Sequence, residues 1–577
     1  MTLMTPSEAL VETLVAHGVK DVFGIVGSAM LDTLDIFEPA GLRFIGVQHE
    51  QAAAHMADGY SRVSGKQGVC IAQNGPGVSN LVTGIAAAYW AHSPVLCITP
   101  EAATSTQGMG GFQEIEQLPF FEKITKYQAH VVRSDRIAEQ AGRCLDLALT
   151  ERGPTQLNIP RDLFYAEVDV DIPGPVALID PAGSPEAIAL AAEIFATAQF
   201  PVILVGGGVI SGEAVKEVVS LAEFLDIPVV TQYQHNDAFP GSHPLMCGPI
   251  GYQGSKAAMT VLSQADVVLA IGTRLGPFGK VMQYDVDYWP KTAKFIQIDI
   301  NHRVLGLTQK VDVPVWGGAR SCTIALHKKL EENDGEIVAH GNRRERINEV
   351  MKRKKEWSKL LNSWTTAGSP NEISPRRALR EIQKVLPTDA VVTTDVGNIA
   401  STASAYLEFS QPRSFLAAMS WGNCGYAFPT AIGAKIAKPD RPAIAIVGDG
   451  AWGMSMHEVL TCIREDIPVI AIVFNNQQWG AEKRNQMDFY AERYVGTILE
   501  NPSFAEIARA MGASAIRISS IDEIGDALGE SVNANRATVI EIPTTRELVE
   551  PFRRDALKKP VRKLSKYKNY SLAKTYL

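Results

Sequence analysis

Short apolar runs rich in β-branched residues recur along almost the whole chain, with helical periodicity between them. They include Val69–Ala72, Val95–Thr99, Val202–Val205, Val267–Ile271, Phe295–Ile298, Ala390–Thr394, Ala443–Val447 and Val469–Phe474. A strand that is apolar at every position is buried on both faces. With helices in between, that pattern predicts parallel sheets covered on both sides. A chain of 577 residues is too long for one core and should divide into three or four domains. Two stretches read as connections: residues 170–187, rich in Pro and Gly, and residues 330–375, highly charged and ending in GSPNEISP. The first reads as an extended crossing and the second as a solvated helix plus loop. They divide the chain into 1–168, 188–330 and 375–550, each a normal domain size. The expected fold class is α/β, with three doubly wound parallel-sheet domains. Residues 551–577 form a basic C-terminal tail, in which seven Lys/Arg and no acid follow Ala556. It reads as a solvated or partner-packing segment.

Composition removes several function classes. A net charge of −8, with no basic stripe interleaved with aromatics, argues against nucleic-acid binding. The N-terminal MTLMTPSEALVETL lacks a basic region followed by an apolar core, so no signal peptide is expected. No apolar stretch reaches the roughly 18 residues that span a bilayer. Seven cysteines without a CxxC or zinc spacing predict reduced thiols in a cytoplasmic protein.

The chemistry is carried by pairs of residues at strand ends. Asp449, in Gly448-Asp449-Gly450, follows the run Ala443–Val447, and Asn476 follows the run Val469–Phe474. A carboxylate and an amide oxygen at two strand ends make a hard-oxygen site of the kind Mg²⁺ prefers. Mg²⁺ completes its shell with water and phosphate oxygens, so the pair predicts a bound phosphate ester, a diphosphate above all. Gly448 and Gly450 permit a sharp turn that brings backbone N–H groups to a phosphate. A helix from Met454 to Arg464 is expected to follow. Glu50 comes after the short run Phe44–Val47 and opens a helix; an acid there also suits a helix cap. Asn74-Gly75-Pro76-Gly77 and Gly24-Ile25-Val26-Gly27-Ser28 are glycine turns after strands. Ser28 suits a substrate pocket or a helix N-cap equally. Leu204-Val205-Gly206-Gly207-Gly208 lacks the third glycine of a dinucleotide fingerprint, and no acid is well placed downstream, so it reads as packing.

GDG followed by NN at this spacing, with Glu50 in VQHEQAAAHMADGYSR, resembles the thiamine-diphosphate-dependent enzymes of the acetolactate-synthase-like family. The resemblance covers residues 5–550, in the order pyrimidine-binding domain, middle domain, diphosphate domain. It implies thiamine diphosphate and Mg²⁺ as cofactors. Asp449, Asn476 and the backbone carbonyl of Gln478 would hold the metal, and Gly450 and Ala451 the diphosphate. Glu50 would hydrogen-bond N1′ of the aminopyrimidine, driving it to the imino tautomer that takes the thiazolium C2 proton. The Gly422 carbonyl would accept from the 4′-amino group. Cys424 would occupy the wedge position that bends the cofactor, where the family usually has Met, Leu or Ile. Gln73 and Gln113 match positions that face the substrate. Middle domains of the family keep their fold whether or not they bind flavin.

Within the family, GDGAWGMS (448–455), NNQQWGAEKRNQMDFYAERYVG (475–496) and GMGGFQEIEQLPFFEKITKY (108–127) resemble a branch acting on sulfoacetaldehyde and inorganic phosphate. The implied products are acetyl phosphate and sulfite, reached through a C2 ylide, sulfite loss and phosphorolysis of an acetyl group on the cofactor. Acetolactate synthases carry a Trp that selects the second 2-keto acid where this chain has Asn485. Lys483 and Arg484 beside it are candidates to bind sulfonate or phosphate, or to form a solvated face pairing with Glu482. The alternatives are a 2-keto acid carboligase, a flavin-dependent oxidase that makes acetyl phosphate, and a non-enzymatic binding protein. Because the family builds its site from two subunits, a homodimer or homotetramer is expected.

Overall fold

The computed structural model describes residues 2–177, 179–252, 254–332, 343–366, 369, 371–548 and 560–568. Residues 551–559 and 569–577 of the basic tail lie outside them. The apolar runs form three six-stranded sheets, and every pairing within them is parallel. The first sheet is ordered Arg43–Gly46, Asp21–Gly24, Gly68–Ile71, Val95–Glu101, Thr155–Pro160, Tyr127–His130. The second is ordered Met246–Pro249, Val229–Thr231, Pro201–Val205, Val267–Ile271, Lys294–Asp299, Val313–Trp316. The third is ordered Phe415–Ala417, Val391–Thr394, Ala443–Gly448, Val469–Asn475, Thr538–Pro543, Ser514–Arg517. A two-stranded antiparallel pair, Thr2–Met4 with Val168–Val170, ties the start of the chain to the end of the first body.

The first and third sheets have the same strand order. In each, the chain runs outward from an inner strand and then crosses back to the opposite side. That reversal falls between Asp21–Gly24 and Gly68–Ile71 in the first sheet, and between Val391–Thr394 and Ala443–Gly448 in the third. Loops leaving adjacent strands at a reversal diverge, and the crevice between them at the carboxyl ends is where open α/β sheets bind ligands. In the middle sheet the reversal lies between Pro201–Val205 and Val267–Ile271. There the glycines pack backbone on backbone, since a Cβ on Gly208 would fall 2.5 Å from the Gly272 Cα.

Two helices at equivalent places in the end domains, Glu50–Ser64 and Ala427–Ala437, pack against each other. Glycine sets their separation. A Cβ on Gly59 would stand 2.1 Å from the Thr430 carbonyl oxygen, and one on Gly433 would stand 1.9 Å from that of Met56. Ala53, Ala57, Ala431 and Ile432 join the two domains into one core. A buried polar chain runs alongside. The Tyr426 hydroxyl donates to Asp58 Oδ2 at 2.6 Å, and Arg62 Nη1 donates to Tyr426 Oη at 2.7 Å and to the Ala417 carbonyl at 2.8 Å.

The charged stretch before residue 375 contains the helix Arg343–Thr365, and it is not wholly solvated. It buries Arg346, Val350, Trp357 and Leu361, spaced at four and seven residues so that they share one stripe. Val350 packs against the middle sheet, and Trp357 and Leu361 against the third. Arg346 Nη2 donates to the Leu225 carbonyl at 2.6 Å. Charges on the other faces hide this stripe in the sequence.

Gly→Ala inside a helix ordinarily stabilises by about 1 kcal/mol. At Gly59 the added methyl meets a backbone carbonyl that cannot swing away, so Gly59→Ala is expected to destabilise by about 1–3 kcal/mol. Calorimetry checks the sign: a raised Tm would contradict this helix contact.

Candidate functional site

One half-site gathers at the reversal of the first sheet. The turn after Asp21–Gly24 presents Ser28, and the turn after Gly68–Ile71 presents Gln73 and Asn74. Gln73 Oε1 accepts the Ala29 N–H at 3.1 Å, and Gln73 Nε2 donates to Gln113 Oε1 at 3.0 Å. Asn74 Nδ2 donates to the Gln113 carbonyl at 3.0 Å. The structure thus brings the Ser28 turn, Gln73 and Gln113 into one hydrogen-bonded cluster. Ser28 is exposed and begins a 3-10 turn whose cap position is Gly27, so it is not a cap. Gln113 lies in a loop that turns Met109 and Phe112 to solvent, 77% and 88% exposed.

Glu50 is the first residue of the helix Glu50–Ser64, and the cap is His49, whose Nδ1 accepts the Gln51 N–H at 3.1 Å. The Glu50 side chain is therefore free of capping duty. It is buried, and its Oε2 accepts from Asn80 Nδ2 at 2.9 Å. Gly77 makes room for it: a Cβ there would lie 3.0 Å from Glu50 Oε1.

The other half-site lies at the reversal of the third sheet. Asp449 opens a four-residue helical turn, Asp449–Trp452; a 3-10 turn, Met456–Glu458, and the helix Val459–Arg464 follow. The helix expected from Met454 to Arg464 is therefore broken into the latter two pieces, and the turn at Asp449 precedes them. The Asp449 carboxylate is buried. Its Oδ1 accepts the Gly450 N–H at 3.0 Å, and its Oδ2 accepts from Asn501 Nδ2 at 2.9 Å and from the Gln478 N–H at 3.3 Å. Burial raises its pKa despite these donors. Gly450 has a packing reason as well as a phosphate one, because a Cβ there would stand 2.7 Å from the Trp479 ring. Ala451 is buried in the same turn.

Asn476 follows the strand Val469–Asn475, and its buried Oδ1 has no hydrogen-bond partner among the described residues. Such an acceptor costs about 1–3 kcal/mol until something fills it. The turn carrying it is stapled in place. Gln477 stands at φ +59°, its Oε1 accepts the Asn501 N–H at 2.7 Å, and its Nε2 donates to Asn475 Oδ1 at 3.2 Å. Gln478 is held beside it, with its buried Nε2 unpartnered.

Gly422 and Cys424 belong to the loop before Ala427–Ala437. Gly422 stands at φ +68°, and a Cβ there would meet no atom within 4 Å, so it faces open space. Burial pushes the Cys424 thiol up to about 12, which keeps it a neutral, weakly polar group. Three residues that the sequence reading missed support this half-site. Asp395 accepts the N–H groups of Val396, Gly425 and Ala427 at 2.9, 3.1 and 3.0 Å, clamping the loop to its strand end; burial pushes it up to about 6. Its signal was an acid directly after the run Ala390–Thr394. Asn398, at the same reversal, has both buried side-chain atoms unpartnered among the described residues. Asn501 holds Asp449, with no local signal to announce it.

Lys483, Arg484 and Asn485 lie on the helix Gly480–Phe489 just beyond. Lys483 Nζ donates to Gln478 Oε1 at 2.9 Å and lies over the Tyr494 ring. Arg484 Nε is 3.0 Å from both Asp488 carboxylate oxygens, and its Nη1 donates to the Leu548 carbonyl at 3.2 Å. Its carboxylate partner is Asp488, four residues along the helix. Asn485 Nδ2 donates to Glu482 Oε2 at 3.2 Å, and its buried Oδ1 is unpartnered among the described residues.

Three family models match the chain. They are the N-terminal TPP binding domain of thiamine pyrophosphate enzymes over residues 4–120, the central domain over 188–326, and the C-terminal TPP binding domain over 395–542. The chain belongs to the thiamine pyrophosphate enzyme family. It is similar to the sulfoacetaldehyde acetyltransferase of Castellaniella defragrans, 54% identical over 98% of each chain. That of Alcaligenes xylosoxydans xylosoxydans is also 54% identical, over 98% of this chain and 97% of its own. The probable acetolactate synthase large subunit of Methanocaldococcus jannaschii is 37% identical over 93% and 92%.

The residues present fit Mg²⁺ and a diphosphate. The unpartnered Asn476 oxygen and the buried Asp449 carboxylate are the hard oxygen donors that such a metal takes. Replacing Asn476 by Leu removes the acceptor and keeps the volume. The variant is expected to lose about 10- to 100-fold in Mg²⁺-dependent cofactor affinity. Without cofactor its Tm is expected to hold or rise, since a buried unsatisfied group is gone. Titration and thermal unfolding check both halves; unchanged affinity would remove Asn476 from the metal site.

Proposed function

We propose that the chain is a thiamine-diphosphate-dependent acyltransferase converting sulfoacetaldehyde and inorganic phosphate to acetyl phosphate and sulfite. One observation carries the choice of reaction. Proteins named for it are 54% identical across 98% of this chain, and both half-sites lie within that span.

In this reading Asp449 and Asn476 give side-chain oxygens to Mg²⁺ and Gln478 gives its backbone carbonyl. Gly450 and Ala451 offer backbone N–H groups to the diphosphate. Thiamine diphosphate, when bound, supplies a carbon nucleophile and an electron sink for the two-carbon fragment. Glu50 holds the proton at N1′ of the aminopyrimidine from a buried position steadied by Asn80. The Gly422 carbonyl accepts from the 4′-amino group, and Cys424 backs the bend between the rings as a small apolar wedge. The aldehyde carbon is oxidised to the acyl level as the carbon–sulfur bond is broken reductively, so the overall reaction balances without an external oxidant.

Ser28, Gln73 and Gln113 line the substrate side. Lys483 is the leading anion-binding group for sulfonate or phosphate. It stands beside Gln478 at the metal end, and its pKa is lowered first by burial and then by the neighbouring charge of Arg546, so a bound anion relieves a cationic pair. Arg484 already has the carboxylate of Asp488, which makes its contribution smaller. Asn485 occupies the place of the keto-acid-selecting Trp. Glu50 and the Asp449 turn belong to different half-sites, and the exposed loop around Phe112 supports a second copy closing over the first. The chain is in this reading a homodimer or homotetramer. Among the described residues no helix is long and apolar enough to cross a membrane. The seven free cysteines support the cytoplasmic location of this reading.

The purified protein, supplied with Mg²⁺, thiamine diphosphate, sulfoacetaldehyde and phosphate, is expected to release sulfite and acetyl phosphate one for one. Acetolactate from pyruvate with no sulfite release would favour the carboligase instead. Glu50→Gln is expected to keep the fold and lower kcat by roughly 10²–10⁴; a fully active variant would break the scheme. Lys483→Ala is expected to raise the KM of phosphate or sulfoacetaldehyde about tenfold, and Arg484→Ala less. Unchanged constants in both variants would remove the anion role.

A further inference from the structure

The catalytic geometry of Glu50 depends on the two residues before it, and neither is held by its own domain alone. The strand Arg43–Gly46 ends four residues short of Glu50, and Gln48 and His49 bridge to the helix. Their two backbone N–H groups point at one side chain, Glu458, which is fully buried in the diphosphate domain of the same chain. Glu458 Oε1 accepts the Gln48 N–H at 3.0 Å and the His49 N–H at 3.1 Å. Its Oε2 lies 3.3 Å from the same Gln48 nitrogen and accepts the Thr461 hydroxyl at 2.7 Å. Two further contacts seat the same turn on the same segment. Arg464 Nη2 donates to the Gly46 carbonyl, and Arg43 Nη2 donates to the Glu465 carbonyl at 3.0 Å.

We propose that Glu458 is a positioning residue: its Oε1 fixes the Gln48–His49 backbone and thereby aims Glu50 at the cofactor ring. The inference rests on Glu50 having that role. What matters is an acceptor at one place, because both amide donors converge on Oε1 while the other oxygen is engaged by Thr461. Position and charge can therefore be separated by substitution. Glu458→Gln keeps an acceptor at the Oε1 position and turns its amide toward Thr461 Oγ, which can accept. Glu458→Asp keeps the carboxylate and draws it back by one methylene, out of reach of both N–H groups. Glu458→Ala removes the acceptor.

This makes the expected order unusual. Glu458→Gln should retain most of kcat, and Glu458→Asp and Glu458→Ala should lose roughly 10- to 100-fold of it, the scale of a misplaced catalytic group, with both substrate KM values little changed. A readout independent of turnover is amide hydrogen exchange across residues 44–52 in the cofactor-free full-length protein. The Gln48 and His49 amides should exchange faster in the Asp and Ala variants and as wild type in the Gln variant. If Asp stays active while Gln fails, charge and not position is what Glu458 provides, and the proposal is overturned. It is also overturned if amide exchange and kcat are unchanged in Ala, or if that variant does not fold while Asp behaves as wild type. A fully active Glu50→Gln would instead sink the role of Glu50, leaving the exchange result to stand on its own.

Discussion

The arrangement depends on the close approach of two helices, Glu50–Ser64 and Ala427–Ala437. Each carries a glycine, Gly59 and Gly433, whose missing side chain lets a backbone carbonyl of the other helix come to 2.1 and 1.9 Å from where a Cβ would stand. This contact welds the end domains into one body and fixes the direction from which each is seen by the other. The buried chain Asp58–Tyr426–Arg62 can form only at that separation. So can the hydrogen bonds that Glu458 accepts from the turn ahead of Glu50. A protein with these sheets and a looser contact would keep its cores and lose the register between Glu50 and the rest.

The diphosphate end shows the opposite economy. Asn476 Oδ1, Gln478 Nε2 and both side-chain polar atoms of Asn398 are buried without partners among the described residues, just past the carboxyl ends of strands of the third sheet. Buried polar groups of this kind are stabilised only when a ligand arrives. The fold thus stores binding capacity at one crevice, while the staple between Gln477 and Asn501 keeps the donors from collapsing on one another.

How far the sequence disclosed this varies by residue. The parallel sheets were legible because strands buried on both faces are apolar at every position. Asp449 and Asn476 were legible because a strand end followed by a polar residue and glycine has few structural reasons to exist. Glu50 was legible only as a partner to that pair, since the helix cap beside it, His49, offers no hint. Asp395 left the same kind of signal as Asp449, but Val396 stands where Gly450 does, and nothing in one dimension shows that it clamps the loop at 425–427. Asn501 and Glu458 act across 52 and 410 residues of sequence and depend on tertiary placement. The stripe on Arg343–Thr365 was concealed by charges on its other faces. At Lys483 and Arg484 the sequence offered two equal cations; the structure separates them, because one has a carboxylate four residues along and the other has an amide oxygen and a ring.

The central claim is that one working site is assembled from Glu50 of one chain and the Asp449–Asn476 pair of another. Co-expressing a Glu50→Gln chain with an Asp449→Asn chain tests it directly. Each variant alone should be inactive, and random pairing should restore about a quarter of wild-type activity, because half of the dimers then contain one intact site. A mixture that forms mixed dimers yet stays inactive would contradict the claim and place the whole site within a single chain.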